Sequence, residues 1–336
     1  MPELRRTSHL KTARWLALPL VIASVVGLHP ANVSAQEWPD RRVTIVSPYS
    51  AGGITDLLAR IFAESFTKSL GQPVIVENRV GAGGHIGGMH VANAPADGYT
   101  LLMAAGAMIV ASPNTQPDIV KYDTTRDLEP IGIAAELPVV MVTNPEVPAR
   151  DFRELVSYAK ANAGKLTCAS TGIGTAGHLA CVQLEKLVGG NLPHVAYKGA
   201  PDANADLIAN RVQIYFGVVP TQIGFIQQGR LRAIGVASDE RLPTAADIPT
   251  LREQGFAVTL PAWNALFAPA STPKPVLERL RAEHRKALAD PAVRQQIEKS
   301  QSVIRKDSSA EDLRKLITQD FAAFRKLAVE AGLRKD

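Results

Sequence analysis

Residues 42–66 read RVTIVSPYSAGGITDLLARIFAESF, and this stretch decides the fold class. It begins with a short run of β-forming residues, turns through the glycine-containing segment 48–53, and ends in apolar residues at helical spacing. A strand, a glycine-rich loop and a helix therefore follow one another. The same succession returns at 73–93 and at 166–187. This alternation predicts an α/β protein whose parallel or mixed sheets are covered by helices.

Three glycine-rich loops lie between a predicted strand and a predicted helix: the first loop (49–56), the second loop (81–88) and the third loop (170–178). Ligands of parallel sheets bind beyond the carboxyl ends of the strands, where such loops gather. The helix after each loop begins with unpaired N–H groups and a partial positive charge, which favour an anion. A tight turn alone would explain the glycines of any one loop, but three such loops together favour a binding site.

Nucleotide-binding and catalytic motifs are weak in this sequence. The run 81–87 is G-x-G-x-x-x-G, which differs from the dinucleotide fingerprint, and no P-loop motif is present. Residues 65–68 match S-x-x-K without the companion motifs of penicillin-recognising enzymes. His85 and His90 lack the glutamate of a zinc-binding H-E-x-x-H, and His178 is explained as well by helix capping or packing as by anion contact. We therefore predict no catalytic residue, no metal site and no cofactor.

The formal charge of +5 is concentrated at the amino terminus. Residues 1–35 carry four basic side chains and one acidic side chain, whereas the remaining 301 residues carry 33 basic and 31 acidic ones. Because a body so close to neutral has no electrostatic reason to bind a polyanion, we predict no nucleic-acid partner. The total length of 336 residues indicates two domains.

The amino terminus is typical of a secretory signal peptide. Its basic residues precede the apolar stretch 15–28, and the small residues Val33, Ser34 and Ala35 follow. That stretch has 14 residues, whereas a bilayer-spanning helix needs about 20, so a membrane anchor is the less favoured alternative. We predict that 1–35 is a signal peptide cleaved after Ala35 and that the mature protein is exported.

Cys168 and Cys181 are the only cysteines in the chain. Two thiols do not form a disulfide framework, because a protein of this size has a sufficient core. We expect them to be small buried hydrophobic residues. In an oxidising compartment they could pair instead, and this alternative stays open.

Several longer stretches, taken in order, resemble one family. PYSAGGITDLLAR (48–60), PVIVENRVGAGGHIGG (73–88) and PADGYTLLMA (95–104) are similar to the amino-terminal half of Bug-type solute-binding proteins. These proteins are the extracytoplasmic receptors of tripartite tricarboxylate transporters. ASTGIGTAGHLA (169–180) and the stretches 194–217 and 229–255 resemble the second half. The resemblance covers nearly all of residues 38–332.

The resemblance implies a type II periplasmic-binding-protein fold, with two α/β lobes, two crossings and a ligand cleft between the lobes. We expect residues 36–138 and 263–336 to form one lobe and residues 139–262 to form the other. Hinge motion about crossings near 138–141 and 261–264 would then enclose the ligand. The implied ligand is a small organic carboxylate, held mainly by loop amides, hydroxyl groups and ordered waters.

The resemblance and the glycine-rich loops together give a set of expected ligand contacts. They are Tyr49, Ala51, Gly52, Gly53, Thr55, Asp56, Gly83, Gly84, Ser170, Gly174, Thr175, His178, Tyr197, Lys198 and Gly199. Asp56 is interpreted as a residue that orients the first loop rather than as a direct anion contact. Because Lys198 is the only cation among them, helix N-termini and the hydroxyls of Ser170 and Thr175 are expected to supply most donors. Ser50-Ala51 stands where the family usually has a proline before the glycine pair, and this departure implies a more flexible loop or a differently shaped ligand.

The sequence thus predicts a periplasmic, monomeric receptor, not an enzyme, that delivers a carboxylate to the membrane subunits of a transporter through transient contacts. A ligand sensor for a signalling kinase would use the same pair of lobes and is one alternative. An exported hydrolase is the other, and the missing nucleophile and base signature counts against it.

Overall fold

The computed structural model describes residues 38–173, 175–197, 199–238, 240–242, 245–258, 260, 262–330 and 332–334. The predicted signal peptide and its cleavage site lie outside the described residues, as do two expected ligand contacts, Gly174 and Lys198.

The described strands form two five-stranded sheets. The strands are β1 (Val43–Ser47), β2 (Val74–Asn78), β3 (Thr100–Ala105), β4 (Leu128–Glu136), β5 (Val139–Thr143), β6 (Cys168–Ser170), β7 (His194–Ala196), β8 (Ile214–Val218), β9 (Arg232–Val236) and β10 (Trp263–Pro269). The first sheet has the order β2-β1-β3-β10-β4 and the second has the order β7-β6-β8-β5-β9. The chain therefore passes to the second sheet after β4 and returns to the first with β10.

Both sheets are mixed, as the alternation of strands and helices predicts. In the first sheet β1 pairs in parallel with β2 and β3, whereas β10 is antiparallel to β3 and β4. In the second sheet β6 pairs in parallel with β7 and β8, whereas β5 is antiparallel to β8 and β9. The predicted α/β class with two lobes is confirmed.

Helices cover both sheets. They are α1 (Ile54–Leu70), α2 (His85–Ala92), α3 (Ser112–Thr115), α4 (Phe152–Ala161), α5 (Ala176–Val188), α6 (Ala200–Ile208), α7 (Val219–Gln227), α8 (Lys274–Ala289), α9 (Pro291–Lys299) and α10 (Ala310–Glu330). A 3₁₀ turn at Ala82–Gly84 precedes α2, and a π-helical turn at Ala107–Ala111 precedes α3. None of the described helices is both long enough and apolar enough to span a bilayer.

Helix α1 illustrates how the sequence dictates these elements. Leu58, Phe62 and Phe66 recur every four residues, so they share one face and are fully buried against the first sheet. The helix ends at Gly71, whose φ of 69° is the left-handed conformation that glycine adopts readily at a helix C-terminus. A strand, a loop and a helix therefore follow one another at 43–70, as predicted.

The two cysteines form a disulfide, and the expectation of unpaired thiols was wrong. Cys168 lies on β6 and Cys181 lies in the second turn of α5, which packs back onto that strand. The two Cα atoms are 5.8 Å apart, within the range that a disulfide spans. Both residues are buried, as expected, at 0% and 2% exposure. Sequence spacing alone could not predict the pairing, because it depends on how α5 packs against β6.

Candidate functional site

Asp56 fixes the shape of the first loop. Its side chain is almost fully buried at the start of α1, where one carboxylate oxygen accepts hydrogen bonds from the Gly52 amide (3.0 Å) and from Arg60 Nε (2.9 Å). Asn78 Nδ2 donates to the other oxygen (2.8 Å) and also to the Tyr49 carbonyl (2.9 Å). Asp56 therefore orients the loop, as expected from its place in the sequence, and its oxygens are occupied by these donors.

The charge of Asp56 is stabilised by those donors. Burial by itself raises the pKa of this carboxyl, but hydrogen bonds from Arg60, Gly52 and Asn78 and the charge of Arg60 outweigh that effect. The pKa is held below its ordinary value, so the carboxylate is ionised at neutral pH.

The N-terminus of α1 is left open toward this loop. Gly53 is its N-cap residue, and no side chain accepts from the amides of the first turn. Gly52, with a φ of 82°, and Gly53 are exposed. First-turn amides without a capping side chain are donors for an anion, and the helix dipole adds to the attraction.

The second loop packs beneath the first. Tyr49 Oη donates to the Gly83 carbonyl (3.3 Å), and Gly84 has a φ of 100°. A Cβ atom at Gly84 would lie 2.8 Å from Met108 Sδ and 3.2 Å from the Tyr49 ring, so glycine permits a close approach of backbone and side chains. Gly83 and Gly84 are thereby placed against Tyr49, which belongs to the first loop.

The third loop is held by its own hydroxyl groups. Thr175 is the N-cap residue of α5: its Oγ1 accepts from the His178 amide (3.4 Å) and donates to the Gly172 carbonyl (2.8 Å). Ser170 Oγ lies 2.9 Å from the same carbonyl and 2.8 Å from His194 Nε2. Both hydroxyls donate to this carbonyl within the second lobe. The expectation that helix N-termini and these hydroxyls supply most ligand donors stays a prediction.

Two histidines pack together behind the third loop. The rings of His178 and His194 have centroids 4.2 Å apart. Burial lowers the pKa of His178, and burial together with the charge of His178 lowers the pKa of His194 to about 4. Both rings are therefore neutral at pH 7, and neither brings a full positive charge to this loop.

The remaining expected contacts lie around the start of α6. Tyr197 Oη donates to Asp206 Oδ2 (2.8 Å) within the second lobe. Burial and this hydrogen bond raise the pKa of Tyr197 to about 12. Gly199 is the N-cap residue of α6 and offers no capping side chain. The first turn of α6 therefore has uncapped amides like those of α1, except at Pro201, which has no N–H.

Residues of the two lobes contact each other beside the third loop. Gln116, just after α3, donates from Nε2 to the Ile173 backbone carbonyl. Leu179 of α5 is buried in the apolar cluster of the first sheet that contains Met108 and Trp263. The third loop is therefore in contact with the lobe that carries the first and second loops.

Some parts of this region were not predicted from the sequence. The patterns described above did not indicate α6 or α7, which begins at the carboxyl end of β8, beside the third loop. Pro220 in its first turn is a helix-start signal that could have revealed it. Asn264 of β10 is fully buried and accepts from Thr55 Oγ1 (3.3 Å). No sequence signal distinguishes this asparagine from other polar residues.

In the described part of the chain, no group of three or more His, Cys, Asp or Glu side chains is positioned to hold a metal ion.

Comparison with known proteins identifies the family. The family model described as "Tripartite tricarboxylate transporter family receptor" matches residues 58–333. The chain belongs to this receptor family. The family prediction made from the sequence motifs is thus confirmed for this receptor.

Solved structures of similar proteins support the same assignment. The receptor is 34% identical to the periplasmic binding protein BugD, with a TM-score of 0.80 over 89% of the receptor and 100% of BugD. It is 29% identical to MatC from Rhodopseudomonas palustris, solved with bound malate (TM-score 0.78; 86% and 99% covered). It is 27% identical to Rpa4515 of R. palustris, solved with adipate (TM-score 0.81; 88% and 98% covered). These relatives share the fold of the receptor over most of both chains.

Proposed function

We propose that the receptor captures a small organic carboxylate between its lobes and delivers it to the membrane subunits of a tripartite tricarboxylate transporter. The observation that carries the proposal is the open N-terminus of α1 beside a loop that Asp56 fixes in place. Relatives of the same fold hold malate and adipate, which are both dicarboxylates. Amides of a helix N-terminus bind a carboxylate without a salt bridge, which suits a site whose histidines are neutral.

The proposed contacts are those expected from the sequence, with their roles divided by the geometry. Ala51 and the uncapped amides around Thr55 bind the anion from one lobe, and amides at the starts of α5 and α6 bind it from the other. Gly52 and Gly53 shape the first loop beside the anion, since their amides donate to Asp56 and to the Ser50 carbonyl. Asp56, Ser170, Thr175 and Tyr197 hold these loops in shape through the hydrogen bonds described above. Gly83 and Gly84 support Tyr49, and His178, Gly174, Lys198 and Gly199 complete the proposed site.

The proposal includes the movement of two lobes. Residues 36–138 with 263–336 form one lobe, residues 139–262 form the other, and the hinge lies at the crossings near 138–141 and 261–264. Val218 and Ala262 pack against the clusters of both sheets, which suits positions close to a hinge. The receptor is exported through a signal peptide at 1–35 and acts in the periplasm as a monomer without enzymatic activity. Its contacts with the membrane subunits are transient.

A calorimetric titration tests the proposal. We expect malate, succinate, adipate or citrate to bind with one site per chain, and a ligand at a hundred times its Kd to stabilise the native state by about 2.7 kcal/mol. Malamide and succinamide, which lack the charge, serve as matched controls and are expected not to bind. Equal binding of the diamides, or no binding by any carboxylate of the panel, would contradict the proposal.

A further inference from the structure

The first turn of α7 takes part in a cluster of buried amide side chains outside the proposed contacts. Gln222 is fully buried, and Asn204 of α6 is 5% exposed. Gln222 Nε2 donates to Thr221 Oγ1 (2.9 Å), and Asn204 Nδ2 donates to the backbone carbonyl of Thr221 (3.3 Å). Both amides are therefore attached through their nitrogen atoms to one threonine.

Hydrogen-bond chemistry fixes the orientation of both amides. A backbone carbonyl can only accept, so Asn204 must present its nitrogen to Thr221. The Thr221 hydroxyl donates its single proton to the Val218 carbonyl (2.9 Å), so it can only accept from Gln222. The oxygens Asn204 Oδ1 and Gln222 Oε1 are consequently the free ends of the two amides. Neither oxygen has a hydrogen-bond partner among the residues that the structure describes.

Unpaired acceptors in such buried positions are uncommon, because burial removes the water that would otherwise bond to them. The packing around Gln222 is close: a Cβ atom at Gly217 would lie only 2.7 Å from Gln222 Nε2. Because Gly217 has no Cβ, it leaves the space that the Gln222 side chain occupies. Two amides that Thr221 holds through their nitrogen atoms, with both oxygens unpaired, indicate a place for a hydrogen-bond donor.

The cluster lies at the same edge of the second sheet as the third loop. Strands β6 and β8 are parallel, so their carboxyl ends at Ser170 and Val218 point the same way. Helix α5 packs on β8, since a Cβ atom at Gly177 would be 3.0 Å from the Phe216 carbonyl. The first amide of α7, Val219 N, donates to the Pro138 carbonyl (2.7 Å), where the chain crosses between the sheets. The amide cluster therefore lies at the edge of the second sheet that also carries the third loop, where the proposal places the carboxylate.

We infer that Asn204 Oδ1 and Gln222 Oε1 accept hydrogen bonds from a hydroxyl or ammonium group of the bound carboxylate, and that the receptor prefers dicarboxylates carrying such a donor. The inference rests on the proposed function and adds the class of ligand. A ligand with only methylene groups between its carboxylates leaves both oxygens unpaired, whereas a hydroxyl group, with its single proton, satisfies one of them and an ammonium group satisfies both. Sites built to bond a polar substituent reject analogues that lack it more strongly than apolar pockets discriminate by size.

Calorimetric titration with four-carbon dicarboxylates tests the inference. Malate carries a hydroxyl, aspartate carries an ammonium, and succinate carries neither. We expect malate or aspartate to bind at least about tenfold more tightly than succinate, and the tighter of the two identifies the donor. The same comparison among adipate, 2-hydroxyadipate and 2-aminoadipate tests the preference in six-carbon dicarboxylates. Succinate and adipate binding as tightly as their substituted counterparts would overturn the inference while leaving the proposed function intact.

Substitution of Gln222 and Asn204 tests whether these residues accept the hydrogen bonds. Gln222→Met keeps the length of the side chain and removes the oxygen. The preference for malate or aspartate over succinate is therefore expected to fall to about threefold or less, with the affinity for succinate unchanged. Asn204→Leu is the second variant, and Gln228→Met, at the exposed end of α7, is the matched control expected to keep the preference. Thermal unfolding verifies that each variant is folded. A full preference retained by both acceptor variants would overturn the inference, and no binding by any dicarboxylate would contradict the proposed function as well.

Discussion

Asp56→Ala is expected to weaken carboxylate binding by at least about tenfold and to lower the free energy of unfolding by roughly 2–3 kcal/mol. The substitution removes a buried carboxylate and leaves the Gly52 amide and Asn78 Nδ2 without their acceptor. Arg60, whose side chain is about half exposed, can turn to water, so its share of the loss is small. Without this carboxylate the first loop is less ordered before the ligand binds. Part of the binding free energy is then used to order the loop, which weakens the affinity.

Calorimetric titration with the best carboxylate of the panel and urea unfolding measure the two effects. Glu64→Ala is the matched control, because Glu64 pairs with Lys68 on the surface of the same helix, where both side chains are more than half exposed. That variant is expected to change both quantities little. Unchanged affinity in Asp56→Ala would contradict the view that this carboxylate prepares the loop for the ligand.

Removal of the disulfide is expected to have a second large effect. Cys168 and Cys181 are separated by 13 residues, and the chain between them contains Ser170, Thr175 and His178. Without a cross-link over a loop of this length, the unfolded chain has more conformational entropy. The free energy of unfolding is therefore expected to fall by about 3 kcal/mol. For a protein of this size that corresponds to a melting temperature lower by roughly 4–5 °C.

The double variant Cys168→Ser with Cys181→Ser, measured by calorimetric unfolding, tests this expectation. We also expect severalfold weaker carboxylate binding, because the bridge closes a covalent ring around the third loop and limits its conformations before the ligand arrives. The oxidised parent protein under the same conditions is the control. A melting temperature and an affinity equal to those of the parent would contradict a structural role for the disulfide.

The positions of the main elements could be predicted from the sequence because they depend on local patterns. Apolar residues at helical spacing between Leu58 and Phe66, ended by Gly71, predict α1 correctly. Asp56 could be assigned its role because an acidic residue in the first turn of a helix interacts favourably with the helix dipole and with nearby amides. In both cases the deciding residues lie within one or two turns of the chain.

Features that depend on tertiary contacts could not be predicted in the same way. The hydroxyls of Ser170 and Thr175 look like ligand donors in the sequence, but Gly172, with a φ of 141°, directs its carbonyl toward both of them. Asn264 acquires its contact with Thr55 only because β10 is added beside β3 from the far end of the chain. The amide cluster of α7 depends in turn on the packing of two short helices.

A crystal structure of the receptor with the tightest-binding carboxylate of the panel tests the central claim most directly. We predict that the carboxylate lies between the first and third loops, with oxygens about 3 Å from amide nitrogens at the starts of α1 and α5. We also predict that no lysine or arginine nitrogen lies within about 4 Å of those oxygens. A carboxylate paired with Lys198, or bound away from both helix starts, would contradict this mode of binding.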